Sequence, residues 1–421
     1  MGRPRTLGLT IAGLTAVAML AACSSSSSST AANSTGTTGG SSTSGAYTIG
    51  VTIPLSGSAA SFGVVSSGGM NIAAAEINAA GGINGHKLVL KYEDDQLIPA
   101  TAATDMQDLA SSNVSLVLTG GSSVVEAELP AAAQHNMLLV NVAAQDDIFL
   151  TNPRYFTFIP TNNMELGQLA SLVYTQRHLT KVAVIHSNDA YGASASAAFI
   201  SGYKALGGTV TDEEEHPEGT TDYSTYLLKI RASNPQGLVI LSNTGEIGHI
   251  VAQSRQLGLK VPLFGADSAL SPGDIQTAGA AMDGVEGVAV NFSPASSAAA
   301  TAFTNTFKSE NKGVSPNSYS AISYIAVNEL ADAIKASGGD DPTKIAAYLH
   351  SIKSVQTILG TATAVPGKPV ITYPIYEWLY TGGAVTQLKS LRTARPGRRP
   401  GPGSAPGSRT TTPSAGTPRW A

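Results

Sequence analysis

The chain has 421 residues, 42% of them apolar and 13% charged, and it exceeds the length of one typical domain. Residues 46–388 hold 16 Lys and Arg against 29 Asp and Glu, whereas residues 389–421 hold seven basic residues and no acid. Such an acidic body lacks the basic face that phosphate groups require, which argues against nucleic acid as a partner. The single cysteine, Cys23, excludes a disulfide bond within the chain, so packed cores must supply the stability.

Residues 1–23 have the pattern of an export signal. Two arginines precede an apolar run over Leu7–Leu20 that is too short to span a bilayer comfortably, so this segment is expected to be removed. The following Leu20–Cys23 resembles the lipobox of bacterial lipoproteins, which implies that lipid on Cys23 anchors the protein to the outer face of the cell membrane. The alternative is an ordinary secretory signal with a cysteine there by chance. Both interpretations predict export.

Two segments lack the residues that build a core. Residues 24–45 consist mostly of Ser, Thr, Gly and Ala and are expected to form a flexible linker. Residues 389–421 are basic and rich in Pro and Gly, which opposes helix and interior strand, so this tail is expected to be disordered. The tail is either a wall-binding or membrane-binding extension, a dispensable one, or the product of a shifted reading frame.

Short apolar runs alternate with helical patterns between these two segments. Such alternation is typical of parallel strands that helices cover on both faces, so the expected class is α/β. One helical stripe covers Met70–Ile77 and ends before Gly81–Gly82, and another covers Leu166–Val173. The predicted strands are Tyr47–Ile53, Leu88–Tyr92, Val114–Leu118, Met137–Val142, Val182–Ile185, Val210–Glu213, Leu238–Leu241 and Val285–Asn291.

The sequence contains no motif that provides a framework for catalysis, a cofactor or a metal ion. The glycine-rich segment Pro54–Gly69 lacks both the lysine of a P-loop and the G-x-G-x-x-G of dinucleotide sites. Ser201–Lys204 fits S-x-x-K without its companion motifs, and so serine-rich a chain produces such matches by chance. The seven histidines include no H-E-x-x-H and no pair four residues apart. We therefore expect neither an enzyme nor a cofactor.

Two acidic runs are further candidates for a metal site. Glu93–Asp95 and Asp212–Glu215 lack the glycine and the spacing of a calcium loop. Both are expected to be solvated turns.

Several motifs, in their order along the chain, resemble one family. Ile49–Gly57 and Glu76–Gly85 resemble the opening of type I solute-binding proteins, and the branched-chain amino acid branch of ABC transporter proteins fits best. Weaker matches extend the resemblance from Tyr47 to about Leu388, and they are Glu93–Gln96, Asp189–Gly192, Gln253–Leu259, Tyr319–Ile334 and Leu359–Gly360.

This resemblance implies a fold of two lobes. Each lobe would be a mainly parallel sheet flanked by helices, and three crossovers would form a hinge that lets the cleft close on its ligand. We place the crossovers near Pro160, Asn291 and Gly360. The expected N-terminal lobe holds residues 46–160 and 292–360, and the expected C-terminal lobe holds residues 161–291 and 361–388.

Ligands of open α/β sheets collect at the carboxyl ends of strands, where the loops with Ser122, Ala143 and Asp267 begin. After one predicted strand, Thr119–Ser123 leads into a helix, so hydroxyl and backbone N–H groups there can hold a ligand carboxylate. The alternative is a serine that simply caps the helix. The resemblance implies that Ser122, beside Ser123, binds the carboxylate of an amino acid.

The resemblance also implies the rest of the head-group site. Ala143, Ala144 and Gln145 match a segment that grips the head group, with Gln145 in place of a threonine. Asp267 matches the acidic residue that pairs with the ligand ammonium, and the alternative is a surface Asp that caps the next turn.

The remaining pocket residues bear on the identity of the ligand. Tyr191 and Phe62 resemble aromatic positions that line the pocket, and Asn243 replaces a tyrosine of the leucine/isoleucine/valine-binding relative. We expect an extracytoplasmic, monomeric lipoprotein that captures a branched-chain or related amino acid and delivers it to the membrane subunits of an ABC importer. The alternatives are a sensor of the same fold, or a pocket for an amide, a urea-like solute or an aromatic acid.

Overall fold

The computed structural model describes residues 45–290 and 292–391. The chain starts with a parallel sheet of five strands in the order β2-β1-β3-β4-β5. Its strands are β1 Tyr47–Ile53, β2 Leu88–Asp94, β3 Leu116–Thr119, β4 Leu138–Asn141 and β5 Tyr155–Thr157. The helices between them are α1 Ala60–Ala79, α2 Pro99–Ser111 and α3 Ser122–Gln134. We call this sheet and the helices that cover it the first lobe.

A second sheet follows, and with its helices it forms the second lobe. The helices here are α4 Asn162–Ser171, α5 Ala190–Ala205, α6 Ser224–Ala232, α7 Ile247–Gln256 and α8 Pro272–Ala278. The strands are β6 Lys181–Ser187, β7 Thr209–His216, β8 Gly237–Leu241, β9 Leu263–Gly265 and β10 Val285–Val290. Along β6, Val182 and Val184 enter one apolar core while Ala183 and Ile185 enter another, because successive side chains point to opposite faces. This sheet is therefore buried on both sides.

The chain then returns to the first lobe. It forms α9 Ala298–Glu310, α10 Ser318–Ser337, α11 Pro342–Ser351 and a small antiparallel sheet of β11 Ser354–Thr357, β12 Gly360–Ala364 and β13 Ile371–Thr372. Almost every residue of α10 is buried, and this helix packs against α1 over its length. The fold thus places α10 beside the first helix of the chain.

Two final strands, β14 Ile375–Thr381 and β15 Ala384–Leu391, complete the second sheet in the order β15-β14-β10-β9-β8-β6-β7. Both pair antiparallel, whereas the other strands of this sheet are parallel. The structure is thus the two-lobed type I periplasmic binding protein fold, in which the chain passes between the lobes three times.

The third passage lies near Pro374, and the prediction of Gly360 was wrong. The Thr157 N–H donates a 2.9 Å hydrogen bond to the Pro369 carbonyl, and Tyr373 is buried in the core of the first lobe. Ile375 instead lies in the core of the second lobe. β12 and β13 remain with the first lobe because their apolar side chains have their packing partners there. At the C-terminal end, β15 continues to Leu391, past the expected boundary at Leu388.

The glycines of α1 serve close packing. A Cβ atom at Gly63 would lie 2.0 Å from the Pro54 carbonyl oxygen, and one at Gly69 would lie 2.0 Å from the Ser320 carbonyl oxygen. Only glycine therefore lets α1 approach both the loop after β1 and α10 so closely.

The acidic runs were wrongly predicted as solvated turns. Asp94 ends β2 and accepts hydrogen bonds from the N–H groups of Leu55 and Ser56 at 2.8 and 3.1 Å, so it fixes the loop after β1. The second run lies within β7, where Glu214 forms a 2.9 Å ion pair with Lys229. Pairing with β6 carries this run into the sheet despite its charge.

Candidate functional site

A cleft lies between the lobes, at the carboxyl ends of strands from both sheets. Its cavity volume is about 50 Å³, and the cleft is partly open to solvent. The cleft is lined by Ala59, Phe62, Leu97, Gly121, Ser122, Ala143, Gln145, Tyr191, Asn243, Thr244, Ser268 and Tyr319. The two lobes contribute to one surface, as expected for a site that closes around a small molecule.

The first lobe presents Ser122 at the start of α3. Gly121 precedes it with φ = 103°, a conformation that favours glycine and turns the helix N-terminus toward the cleft. Gly121, and not Ser122, is the N-cap residue, and the Ser122 hydroxyl is buried without a hydrogen-bond partner. A free hydroxyl and unpaired N–H groups at a helix N-terminus suit an anionic group such as a carboxylate. Ser123 also has a buried unpaired hydroxyl but does not line the cleft.

The turn after β4 forms the neighbouring wall. The Asn141 side chain accepts hydrogen bonds from the N–H groups of Ala143 and Ala144 at 3.0 and 2.6 Å. Ala143 therefore offers the cleft its methyl group, because its N–H is already engaged, and Ala144 is buried behind the wall. Gln145 lines the cleft, and its amide donates to Glu165 Oε2 at 2.5 Å.

The second lobe places Asp267 just behind the cleft wall. Asp267 follows β9, is 1% exposed, and neither of its carboxylate oxygens accepts a hydrogen bond of normal geometry. Its backbone N–H donates to Glu165 Oε1 at 3.2 Å. Glu165, in the first turn of α4, is fully buried. Two carboxyl groups are thus buried together at the edge of the cleft.

Burial dominates the electrostatics of these two acids. It raises the pKa of Glu165 well above its usual range, and the charge of Asp267 raises it further. Burial also raises the pKa of Asp267, to about 6, although the nearby Tyr319 hydroxyl lowers it. A cationic group in the cleft would stabilise the ionised form of both acids.

Asn243 and Tyr191 are held by a small polar network. The Asn243 amide donates to Asp189 Oδ2 at 3.0 Å, and Asp189 also caps α5 by accepting from the Gly192 N–H at 3.0 Å. The Tyr191 hydroxyl lies 3.3 Å from the Ser268 hydroxyl. This network fixes the cleft face of the second lobe before any ligand is present.

Similarity to known proteins decides the family of this chain. The sequence profile of the family described as periplasmic binding protein matches residues 46–382. The chain belongs to this family. A Leu/Ile/Val-binding protein homolog of Brucella abortus is similar to this binding protein at 27% identity, covering 78% of the chain and 90% of the relative.

Two solved structures share the fold of this binding protein. One is the branched-chain amino acid transporter substrate-binding protein of Streptococcus pneumoniae in complex with isoleucine, with a TM-score of 0.75 and 23% identity over 82% of this chain and 99% of that one. The other is a solute-binding protein of Rhodopseudomonas palustris in complex with 3,4-dihydroxybenzoic acid, with a TM-score of 0.75 and 21% identity over 84% and 99%. The same fold therefore holds ligands with and without an ammonium group.

Sequence reasoning missed Glu165 and several residues of the cleft lining, which are Ala59, Leu97, Thr244, Ser268 and Tyr319. Glu165 belongs to no recognisable motif, and only its position as an acid in an otherwise apolar helical stripe marks it. Tyr319 and Ser268 lie far apart in sequence and meet at the cleft only through the return of the chain to the first lobe.

The described residues lack two further functional features. Across residues 45–290 and 292–391, no helix has both the length and the apolar character needed to cross a membrane. No group of three or more His, Cys, Asp or Glu residues there is arranged to hold a metal ion. Cys23 and residues 392–421 lie outside the described residues.

Proposed function

We propose that this binding protein captures a branched-chain or related amino acid in the cleft between its lobes and delivers it to an ABC importer. The observation that carries the proposal is the buried, unpaired carboxylate of Asp267 in one lobe, together with the unpaired hydroxyl of Ser122 in the other. An amino acid supplies the ammonium that the first group lacks and the carboxylate that suits the second. A ligand that satisfies both groups contacts both lobes and thereby favours the closed cleft.

The wall between these two groups suits an apolar side chain. Phe62 and Tyr319 meet edge to face with ring centroids 5.3 Å apart, and Leu97 and Ala59 continue the wall. Burial of an aliphatic side chain on such a surface contributes about 0.8 kcal/mol per CH₂ group. The relative named as a homolog of Leu/Ile/Val-binding proteins and the related structure in complex with isoleucine support this ligand class.

An aromatic acid is the second candidate ligand. The aromatic wall, the Ser122 hydroxyl and the polar Asn243 favour it, as does the relative in complex with 3,4-dihydroxybenzoic acid. Such a ligand has no cation to pair with Asp267, which is the reason that we favour the amino acid.

The cellular role extends the proposal beyond the cleft. We infer a monomer that lipid on Cys23 tethers to the outer face of the membrane, where permease subunits collect the ligand. A sensor of the same fold is the alternative, and a pull-down of the membrane partner from cells separates the two roles.

The test of ligand class is a calorimetric comparison of L-leucine with 4-methylpentanoate, which keeps the carboxylate and the side chain but lacks the ammonium. The wild type should bind L-leucine at least tenfold more tightly, because Asp267 then gains its partner, roughly 1.4 kcal/mol or more. Asp267→Asn should remove that preference. Ser201→Ala, on the exposed face of α5, is the matched control and should keep it. Equal binding of the two compounds by the wild type would contradict the proposal.

A further inference from the structure

We propose that the buried pair of Glu165 and Asp267 holds one proton in the ligand-free protein, and that this proton passes to solvent when the cationic group of a ligand binds. This inference rests on the proposed function for its ligand. It adds one residue, Glu165, which affects ligand binding by setting the charge of the pair that it forms with Asp267. It makes ligand capture dependent on pH and selective for cations.

Geometry ties the two acids together. Glu165 Oε1 accepts from the Asp267 backbone N–H at 3.2 Å, and Glu165 Oε2 accepts from the Gln145 amide at 2.5 Å. Gln145 itself lines the cleft, so Glu165 connects a cleft residue of the first lobe with the acid of the second lobe. Both oxygens of Asp267 are left without a hydrogen bond while the residue is 1% exposed. This is the arrangement of a pair that lacks a cation.

Among the described residues, the elements around the two acids bring no basic side chain into an ion pair with either acid. Tyr191 of α5 and Tyr319 of α10 face the pair with neutral hydroxyls, whose pKa values burial and the charge of Asp267 raise. β10, which also packs on α4, carries Glu286, and that carboxylate is already paired with Arg177. Asp189 of α5 is bound to Asn243. Among the described residues, no Lys, Arg or His forms an ion pair with Glu165 or Asp267.

The direction of the pH dependence follows from this setting. Two carboxylates in one buried site cannot both ionise without a cation, so the ligand-free pair keeps a proton near neutral pH, mainly on Glu165. An ammonium group that enters beside Asp267 stabilises the second negative charge and expels the proton. Affinity for a cationic ligand should therefore rise with pH over the range in which the free pair titrates, by up to about tenfold per pH unit.

The first experiment needs no ligand. Carboxyl carbon NMR of the free wild-type protein, with Glu165→Gln to assign the signal, should show the Glu165 carboxyl protonated at pH 7. An ionised Glu165 carboxyl at that pH would overturn the inference that the pair holds a proton. If Glu165→Gln fails to fold, side-chain correlation spectra of the wild type assign the signal instead.

The second experiment measures the released proton. Calorimetry of the wild type with L-leucine in phosphate and in Tris, whose ionisation enthalpies differ, should show close to one proton released per ligand at pH 7. The Glu165→Gln variant should release almost none and lose the rise of affinity with pH, whereas Glu126→Gln, at an exposed position of α3, should behave as the wild type. Binding of L-leucine that depends on Asp267 but gives the same heat in both buffers would overturn this inference and leave the proposed function standing. Loss of the preference for L-leucine over 4-methylpentanoate would instead remove the proposed function.

Discussion

The ring of Phe62 in α1 meets the ring of Tyr319 at the start of α10 edge to face, with centroids 5.3 Å apart. These residues are separated by most of the chain, and their contact forms the apolar wall of the cleft. The same two helices pack closely against each other, so the wall is continuous with the core behind it. Ligand selectivity therefore depends on the stability of this helix pair as well as on the polar groups.

Removal of the aromatic wall should weaken binding in proportion to the size of the ligand side chain. In Phe62→Ala, affinity for L-leucine should fall by about 1–3 kcal/mol, whereas affinity for glycine should change little, because glycine does not reach the wall. Isothermal calorimetry with both amino acids on the same variant provides the control. An equal loss for both ligands would show that Phe62 shapes the site as a whole.

The two adjacent serines offer a matched pair for the carboxylate site. Ser122→Ala should lower the affinity for L-leucine by about 1–2 kcal/mol, since the ligand carboxylate loses one hydrogen bond. Ser123→Ala removes a hydroxyl that is equally buried and unpaired but lies outside the cleft wall, so it should leave affinity unchanged. 3-Methylbutylamine, which has the leucine side chain and ammonium but no carboxylate, should bind both variants alike. The assignment fails if Ser123→Ala is the more harmful change.

The close approach of α1 and α10 makes a prediction about stability. Gly69→Ala should destabilise the fold by about 1–3 kcal/mol, because the added Cβ would lie 2.0 Å from the Ser320 carbonyl oxygen and the helices must separate. Gly167→Ala in α4 is the control, since nothing lies within 4 Å of a Cβ there, and it should stabilise by up to about 1 kcal/mol. Urea unfolding of both variants measures the difference. Similar stability of the two would show that α1 and α10 shift apart at little cost.

A buried carboxyl of the first lobe should make stability depend on pH. Burial raises the pKa of Glu128 to about 8, although Thr119 donates a 2.7 Å hydrogen bond to it. Because this value exceeds the unfolded value near 4.5, the folded protein binds more protons between these limits. Its contribution to stability is therefore complete below about pH 4.5 and is lost as pH rises through about 8.

Thermal unfolding between pH 5 and 8.5 checks this prediction. The wild type should lose stability as pH rises, by up to about 1.4 kcal/mol per pH unit from this group. Glu128→Gln should reduce this loss of stability with pH. The variant should therefore become more stable relative to the wild type at pH 8.5 than it is at pH 5. Part of the pH dependence of stability will remain in this variant, because burial also raises the pKa values of Asp95 and Asp105. If stability falls equally with pH in the wild type and the variant, Glu128 is not a source of the pH dependence.

The predicted strands correspond to eight strands up to β10, whereas β5, β9 and every strand after β10 were not predicted. β1 occupies Tyr47–Ile53 as predicted, since an apolar or aromatic residue recurs at every second position of this segment, which is the period of a strand. β5 and β9 have three residues each, too few for a periodic pattern to develop. The passage near Pro374 was missed because β12 and β13 are short and carry few apolar side chains, so only their packing partners show to which lobe they belong.

The residues of the site also fall into a group that the sequence predicted and a group that it did not. Positions at the ends of long strands, such as Ser122 and Asn243, followed from chain order and resemblance, and both line the cleft. The contact of Gln145 with Glu165 depends on where α4 begins after the first passage between lobes, which no local pattern encodes. Acidic residues are rarely buried in helices, so the acid at position 165 was the only sequence signal for this contact.

The order of strands in the second sheet has a consequence for the newly made chain. β10 must pair with β14, and Gly287 lies opposite Trp378, so one edge of this sheet stays open until nearly the whole domain has been synthesised. An unpaired edge of buried, apolar residues is a site for aggregation. The second lobe therefore cannot complete its sheet during translation, and a chain that stops short of β14 leaves that edge exposed to other chains.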